Sequence, residues 1–228
     1  LIMGVPAALL TSAPETLSLA QSGSSPGILS DPSLSAGQSI RTTSFWFLWL
    51  TWAFQGSAGI AMITLSAAFG LSRGFPLESA ILILTAFNLT NGLSRFISGL
   101  LSDIIGRNLT MSLSFLAAAV AYFTLPFTTT LSAAAILAAV IGFAFGTLFA
   151  VSAPLVTDCF GIKHFGAILG LVFTAYGFVA GVIGPSLSGY LLDMTNGNFA
   201  IVFSYLGTFC FISGIAIHYV RPPKVQAQ

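Results

Sequence analysis

Arg95 is the residue whose type and placement say most about chemistry. It stands in the apolar run from Leu77 to Leu101, bounded by Glu78 and Asp103, and no other charge lies well inside a stretch long enough to cross a bilayer. At about 1.5 Å per residue, the spacing from Arg95 to Asp103 puts its Cα about 12 Å from the end of that helix, close to the middle of a hydrocarbon core about 30 Å thick. A guanidinium there costs at least ~2.5 kcal/mol even on lenient insertion scales, so something must compensate it. Asp103, Asp158 and Asp193 all fall at the ends of predicted helices and none can reach it. The negative partner is therefore a ligand or an acid outside this chain. A guanidinium presents a planar fork of donors that a carboxylate meets bidentately. The competing structural reading is an arginine that snorkels to the interface or pairs with an acid on another helix.

Asn91 at i−4 and Asn88 at i−7 extend a polar stripe along the same helix, and an amide there can hold a second oxygen of a carboxylate or an adjacent hydroxyl or keto group. Gln55 is an amide in the middle of another apolar run and must find either a ligand or another helix. His164 lies in a loop and His218 near the end of the last helix, where neither reaches a midplane site. Cys159 and Cys210 have no metal-ligand spacing, so we expect no metal and no cofactor. The spans hold no H-E-x-x-H, G-x-S-x-G or paired aspartates, which argues against an enzyme.

The elements that position these residues follow from composition. The 228 residues are 56% hydrophobic and carry seven Lys or Arg against six Asp or Glu. With a mean hydropathy of +0.96, this is an integral membrane protein, with no basic surface for nucleic acid. A spanning helix needs about 20 apolar residues. The charges punctuate the chain into runs of that length, predicting helices near Phe45–Phe69, Leu77–Leu101 and Phe165–Leu191, and a last one at Phe199–Tyr219 after the turn-like Thr195-Asn196-Gly197-Asn198. Asn108 to Thr157 is too long for one span, and Pro126-Phe127-Thr128-Thr129-Thr130 divides it in two. Six spans result, an all-α fold. Trp46, Trp49 and Trp52 read as interface anchors at the start of the first. Arg41, Arg107, Lys163, Arg221 and Lys224 share one side and Arg73 the other, which predicts that both ends of residues 44–221 are cytoplasmic and the tail 222–228 with them. Residues 11–43, rich in Ser, Gly and Pro, read as a flexible cytoplasmic loop, and the apolar residues 1–10 as the last turns of an earlier helix.

Small-xxx-small spacing at Gly142 and Gly146, Gly166 and Gly170, and Gly177 and Gly181 predicts helix-packing faces. Pro154 and Gly184-Pro185 predict bends.

The segment Gly99-Leu100-Leu101-Ser102-Asp103-Ile104-Ile105-Gly106-Arg107 resembles the G-x-L-x-D-x-x-G-R loop of the major facilitator superfamily, in its copy between the eighth and ninth helices. Gly99 would permit close helix approach, Gly106 would turn the chain, and Asp103 would cap the next helix or pair with a base. In that family this loop, here Gly99, Asp103, Gly106 and Arg107, controls conformational exchange. Ile104 stands where relatives often carry a base. The resemblance covers about Arg41 to Lys224 and implies the C-terminal six-helix half of a twelve-helix fold, partnered by an N-terminal half and embedded in a plasma or inner membrane. Asn91-Gly92-Leu93-Ser94-Arg95-Phe96-Ile97-Ser98-Gly99 is similar to the eighth helix of the oxalate/formate antiporter family and related monocarboxylate porters, whose arginine at this place binds the substrate carboxylate. Many proton-coupled porters have Asp where Asn91 stands. Dicarboxylate exchangers carry a Lys in the eleventh helix, and Tyr176 is the best match for it here. The implied activity is alternating-access transport of a small carboxylate, a monocarboxylate such as lactate, pyruvate or formate, or oxalate. Arg95 would anchor it, and Asn91, Asn88, Tyr176 and Gln55 would line the site. Export of another small molecule and an anion channel remain the alternative readings.

Overall fold

The protein is described by a computed structural model covering residues 33–223. The expectations for residues 1–32 and for the end of the tail lie outside the described residues. A short helix α1 (Ala36–Ser39) leads into α2 (Thr43–Ser72) and α3 (Leu77–Ile105). α4 (Arg107–Thr124) tightens into a 3-10 turn at Leu125–Phe127 and is followed by α5 (Leu131–Phe160). The fifth span is broken into α6 (Phe165–Thr174), a π-helical segment Ala175–Ala180 and α7 (Gly181–Met194), and α8 (Phe199–Ala216) ends in a 3-10 turn at Ile217–Tyr219. Among the described residues six spans are long and apolar enough to cross a membrane, within a few residues of the bounds read from charge spacing. The chain is a multi-pass membrane protein.

Local sequence sets these bounds. Thr42, Thr130 and Asn198 each accept a backbone N–H of the helix they open, filling donors that would otherwise be orphaned in a medium without water. Gly106 at φ +93 and Gly161 at φ +81 end α3 and α5 in a conformation that side chains rarely adopt, so the turn predicted at Gly106 is present.

Three hydroxyls inside the bundle donate to carbonyls across helix pairs. Tyr122 donates to the Ala58 carbonyl at 2.6 Å, Ser112 to Gly214 at 2.7 Å and Thr90 to Ala139 at 2.7 Å. Two of the predicted glycine faces need revision. Gly142 and Gly146 do seat α5 on α3: a Cβ on Gly142 would collide with the Phe87 carbonyl, and one on Gly146 with the Asn91 carbonyl and Ser94 Oγ. Around Gly99, Gly166, Gly170 and Gly177 an added Cβ would meet nothing among the described residues, so these glycines seat no helix of this bundle. The close contact of the fifth span is at Gly184, whose Cβ would strike the Ser57 carbonyl of α2. Gly184→Ala should therefore force these helices apart and cost about 1–3 kcal/mol, read as an earlier thermal transition in detergent.

The tryptophans also differ from expectation. Trp46 is exposed and donates to the Ile40 carbonyl at 2.9 Å, as an interfacial residue can, but Trp52 is wholly buried and donates to Ser152 Oγ at 3.0 Å. Residues 33–43, read as the end of a flexible loop, are folded: Ser35 and Gln38 form a capping box for α1, and the Leu34 N–H bonds to the Phe160 carbonyl at 2.9 Å.

Burial is uneven among the spans. In the apolar stretches of α3 and of the fifth span 22% of residues are buried, against 50–61% in the other four. Exposed apolar side chains such as Leu89, Leu93, Phe96 and Phe178 cover those two spans.

Candidate functional site

α3 carries Arg95 on its exposed flank, with the guanidinium carbon 5.1 Å from the centre of the Phe149 ring of α5. No ion pair among the described residues involves it; the one present joins Arg107 to Asp158. A ring face attracts a guanidinium through its quadrupole while leaving the donor edge free. Phe149 is in turn held edge to face by Trp52 at 4.9 Å, Phe145 at 5.3 Å and Tyr176 at 5.4 Å. Trp52 packs on Phe173 at 4.4 Å and is fixed by its bond to Ser152. The positive group thus rests on an aromatic cluster assembled from α2, α5 and the fifth span. An aromatic wall of this kind supplies low dielectric around the cation, which strengthens its pull on any anion.

Tyr176 belongs to this group and occupies the π-helical segment. Its ring packs over Gly56, where an added Cβ would lie 3.1 Å from the ring and 2.9 Å from the Ala180 Cβ. Arg95 and Tyr176, predicted together, therefore flank the same phenylalanine.

The amides divide. Asn88 is exposed. Asn91 turns into the α3–α5 contact, where its buried Oδ1 has no partner among the described residues and lies 2.9 Å from where a Cβ on Gly146 would stand. Gln55 is wholly buried within the bundle, and neither its Oε1 nor its Nε2 has a partner among the described residues. The predicted stripe is thus one exposed cation with a half-buried amide behind it, not a continuous polar face.

At the opposite functional feature, the Gly99–Arg107 segment, Arg107 Nε meets Asp158 Oδ2 at 2.9 Å, tying the start of α4 to the end of α5. Asp103 is exposed and caps nothing, since the N-cap of α4 is Gly106 without a side-chain bond. It shares with Arg107 and Asp158 a cavity of about 320 Å³. Asn108 donates to the Ile217 carbonyl at 2.9 Å and to the Val220 carbonyl at 2.5 Å, holding the end of α8.

The sequence reading missed Phe145, Phe149 and Phe173. Phe145 and Phe149 share one face of α5 at i, i+4, a pattern that ordinary packing also produces. Only the Arg95 guanidinium over the ring sets Phe149 apart, and Phe145 and Phe173 pack on Phe149 in turn.

Residues 44–228 match the profile of the Major Facilitator Superfamily, and the chain belongs to that family. The family is one of transport proteins, not of enzymes. Among curated proteins it is similar to the "Oxalate:formate antiporter" of Oxalobacter formigenes, with 27% identity over 184 residues, which is 80% of this chain and 44% of the relative. The chain therefore spans less than half the length of that relative.

Proposed function

We propose that the chain is one six-helix half of a secondary carrier for small carboxylates, working by alternating access with both of its ends cytoplasmic. The observation that carries this reading is Arg95, a cation near mid-span with no acidic partner among the described residues and its donor edge free above Phe149. The similarity to an oxalate:formate antiporter agrees with it. A second half would pack on α3 and the fifth span, the two spans with the least internal burial, and so close the site at the midplane.

In this reading Arg95 binds the carboxylate and Tyr176 donates its hydroxyl to it. Asn88 lines the approach, and the unpartnered amides of Asn91 and Gln55 find partners in another state of the cycle, since a buried amide without one costs about 1–3 kcal/mol. The Gly99–Arg107 segment, through the Arg107–Asp158 pair, controls the exchange of states. With one cation in view, a monocarboxylate such as lactate, pyruvate or formate balances the site better than oxalate.

The test is counterflow in proteoliposomes containing the complete reading frame, with labelled lactate, pyruvate, formate and oxalate. Saturable exchange of one of these supports the carrier. Uptake that never saturates would indicate a channel, and no uptake of any acid would leave a facilitator for another solute. The role of the ring is separately testable. Phe149→Leu keeps apolar bulk but loses the ring face, and should raise the half-saturation concentration roughly 2- to 30-fold, whereas Phe149→Tyr should stay near the parent.

A further inference from the structure

Hydrogen bonds at the Arg107 end of the bundle form a closed circuit. Leu34 ties the chain before α1 to α5 through the Phe160 carbonyl, and Asp158 of α5 pairs with Arg107 of α4. Asn108 of α4 holds the carbonyls of Ile217 and Val220 after α8. Ser44 of α2 donates to the Arg221 carbonyl at 2.6 Å, and Trp46 of α2 returns to Ile40. α3 joins the circuit through the tight turn at Gly106, one residue from Arg107.

α6 stands outside it. Among the described residues, Phe165–Thr174 makes one hydrogen bond to another element, from Trp49 Nε1 to Thr174 Oγ1 at 3.1 Å. Its other contacts are apolar, through Ile168, Val172, Leu169 and Phe173. Such contacts are non-directional and can slide. α7, on the far side of the π-helical segment, is anchored: Gly184 is seated on Ser57, Tyr205 donates to the Gly184 carbonyl at 3.2 Å and also bonds Ser188.

The segment between is built to bend. The Gly181 N–H bonds to the Tyr176 carbonyl, five residues back, and Pro185 removes the N–H that the Gly181 carbonyl would receive. Conversion of this π turn to α geometry shifts the register by one residue, a rotation of about 100° between α6 and α7. Tyr176 lies within the turn and moves with it.

We propose that α6 is a gate hinged on the Ala175–Ala180 π turn and latched by the Trp49–Thr174 hydrogen bond, and that its swing brings Tyr176 to Arg95 or withdraws it. The role given to Tyr176 rests on the carboxylate reading; the hinge and latch do not. While the circuit holds the other five spans as one body at that end, opening α6 exposes the Arg95 site from the Arg107 side alone.

The experiment measures distances between spin labels in the complete transporter in proteoliposomes, with Cys159 and Cys210 replaced by Ala. One pair, at Leu109→Cys of α4 and Ala167→Cys of α6, reports the gate; a second, at Thr43→Cys and Leu109→Cys, reports the circuit. The gate pair should show two distances and the circuit pair one. Thr174→Val, which removes the latch and keeps the volume, and Trp49→Phe, which removes it with a smaller ring, should each raise the ratio of the long to the short gate distance about fivefold, roughly what one net hydrogen bond is worth. Thr174→Ser should restore the parent ratio. A gate distance that is single, or unmoved by both variants, overturns the proposal, as does a circuit distance that broadens with it. If the gate responds as expected but counterflow finds no carboxylate, the hinge stands and the substrate reading falls.

Discussion

Arg95→Ala is expected to abolish carboxylate counterflow while the protein still inserts and purifies as a folded species. The two parts of the expectation have separate physical grounds. A carboxylate held bidentately makes two charge-assisted hydrogen bonds, each worth about 1.5–3 kcal/mol, so losing both raises the half-saturation concentration by about 100-fold or more. The fold, by contrast, asks little of this side chain. Arg95 is exposed, makes no ion pair among the described residues, and its neighbours Ser94 and Asn91, not Arg95 itself, fill the contact with Gly146. Arg95→Lys sharpens the test, because it keeps the charge and loses the planar fork; it should recover only a small part of the binding. The measurement is labelled counterflow alongside a thermal transition in detergent. Unimpaired transport in Arg95→Ala would sink the anchor role, and failure to insert would assign the arginine to structure.

The contrast between Arg95 and Asn91 shows how far the sequence could be read. Helix existence and bounds were legible, because charges, prolines and glycines interrupt apolar runs of spanning length and little else can satisfy backbone groups in lipid. The depth of Arg95 followed from rise per residue alone. Which way its neighbours face did not. A separation of four residues leaves about 40° of rotation between Asn91 and Arg95, enough for Asn91 to turn into the α3–α5 contact while Arg95 stays on the flank. The glycines repeat the lesson: among the described residues Gly142 and Gly146 meet another helix and Gly166 and Gly170 meet none, although their spacing is the same. Facing is set by tertiary packing, which the spacing within one helix does not encode. The π turn was hidden for a related reason, since Ala-Tyr-Gly-Phe-Val-Ala has no residue whose chemistry demands an extra residue in the turn. Tyr176 within it stood out only through resemblance to a family whose dicarboxylate members place a lysine there.

Tyr176→Lys should turn the selectivity of the site from monocarboxylate towards oxalate. Arg95 and Tyr176 both pack against Phe149, the guanidinium carbon 5.1 Å and the Tyr176 ring centre 5.4 Å from its ring centre, so an ammonium at position 176 would add a second cation beside the same ring. In the parent a dianion brings one charge that Arg95 cannot neutralise, and an uncompensated charge in a desolvated site is strongly unfavourable. In the variant the balance reverses: a monoanion leaves one cation unpaired, and a dianion pairs both. Each mispaired charge costs several kcal/mol, which is more than two decades in affinity, so the ratio of oxalate to formate exchange should rise by at least 100-fold. Tyr176→Phe separates charge from hydrogen bonding, because it removes only the hydroxyl; it should weaken monocarboxylate exchange by about fivefold without favouring oxalate. Competition between labelled formate and unlabelled oxalate measures the ratio directly. A Tyr176→Lys protein that transports formate with unchanged preference would place residue 176 outside the binding space and leave its ring as a support for Phe149 and nothing more.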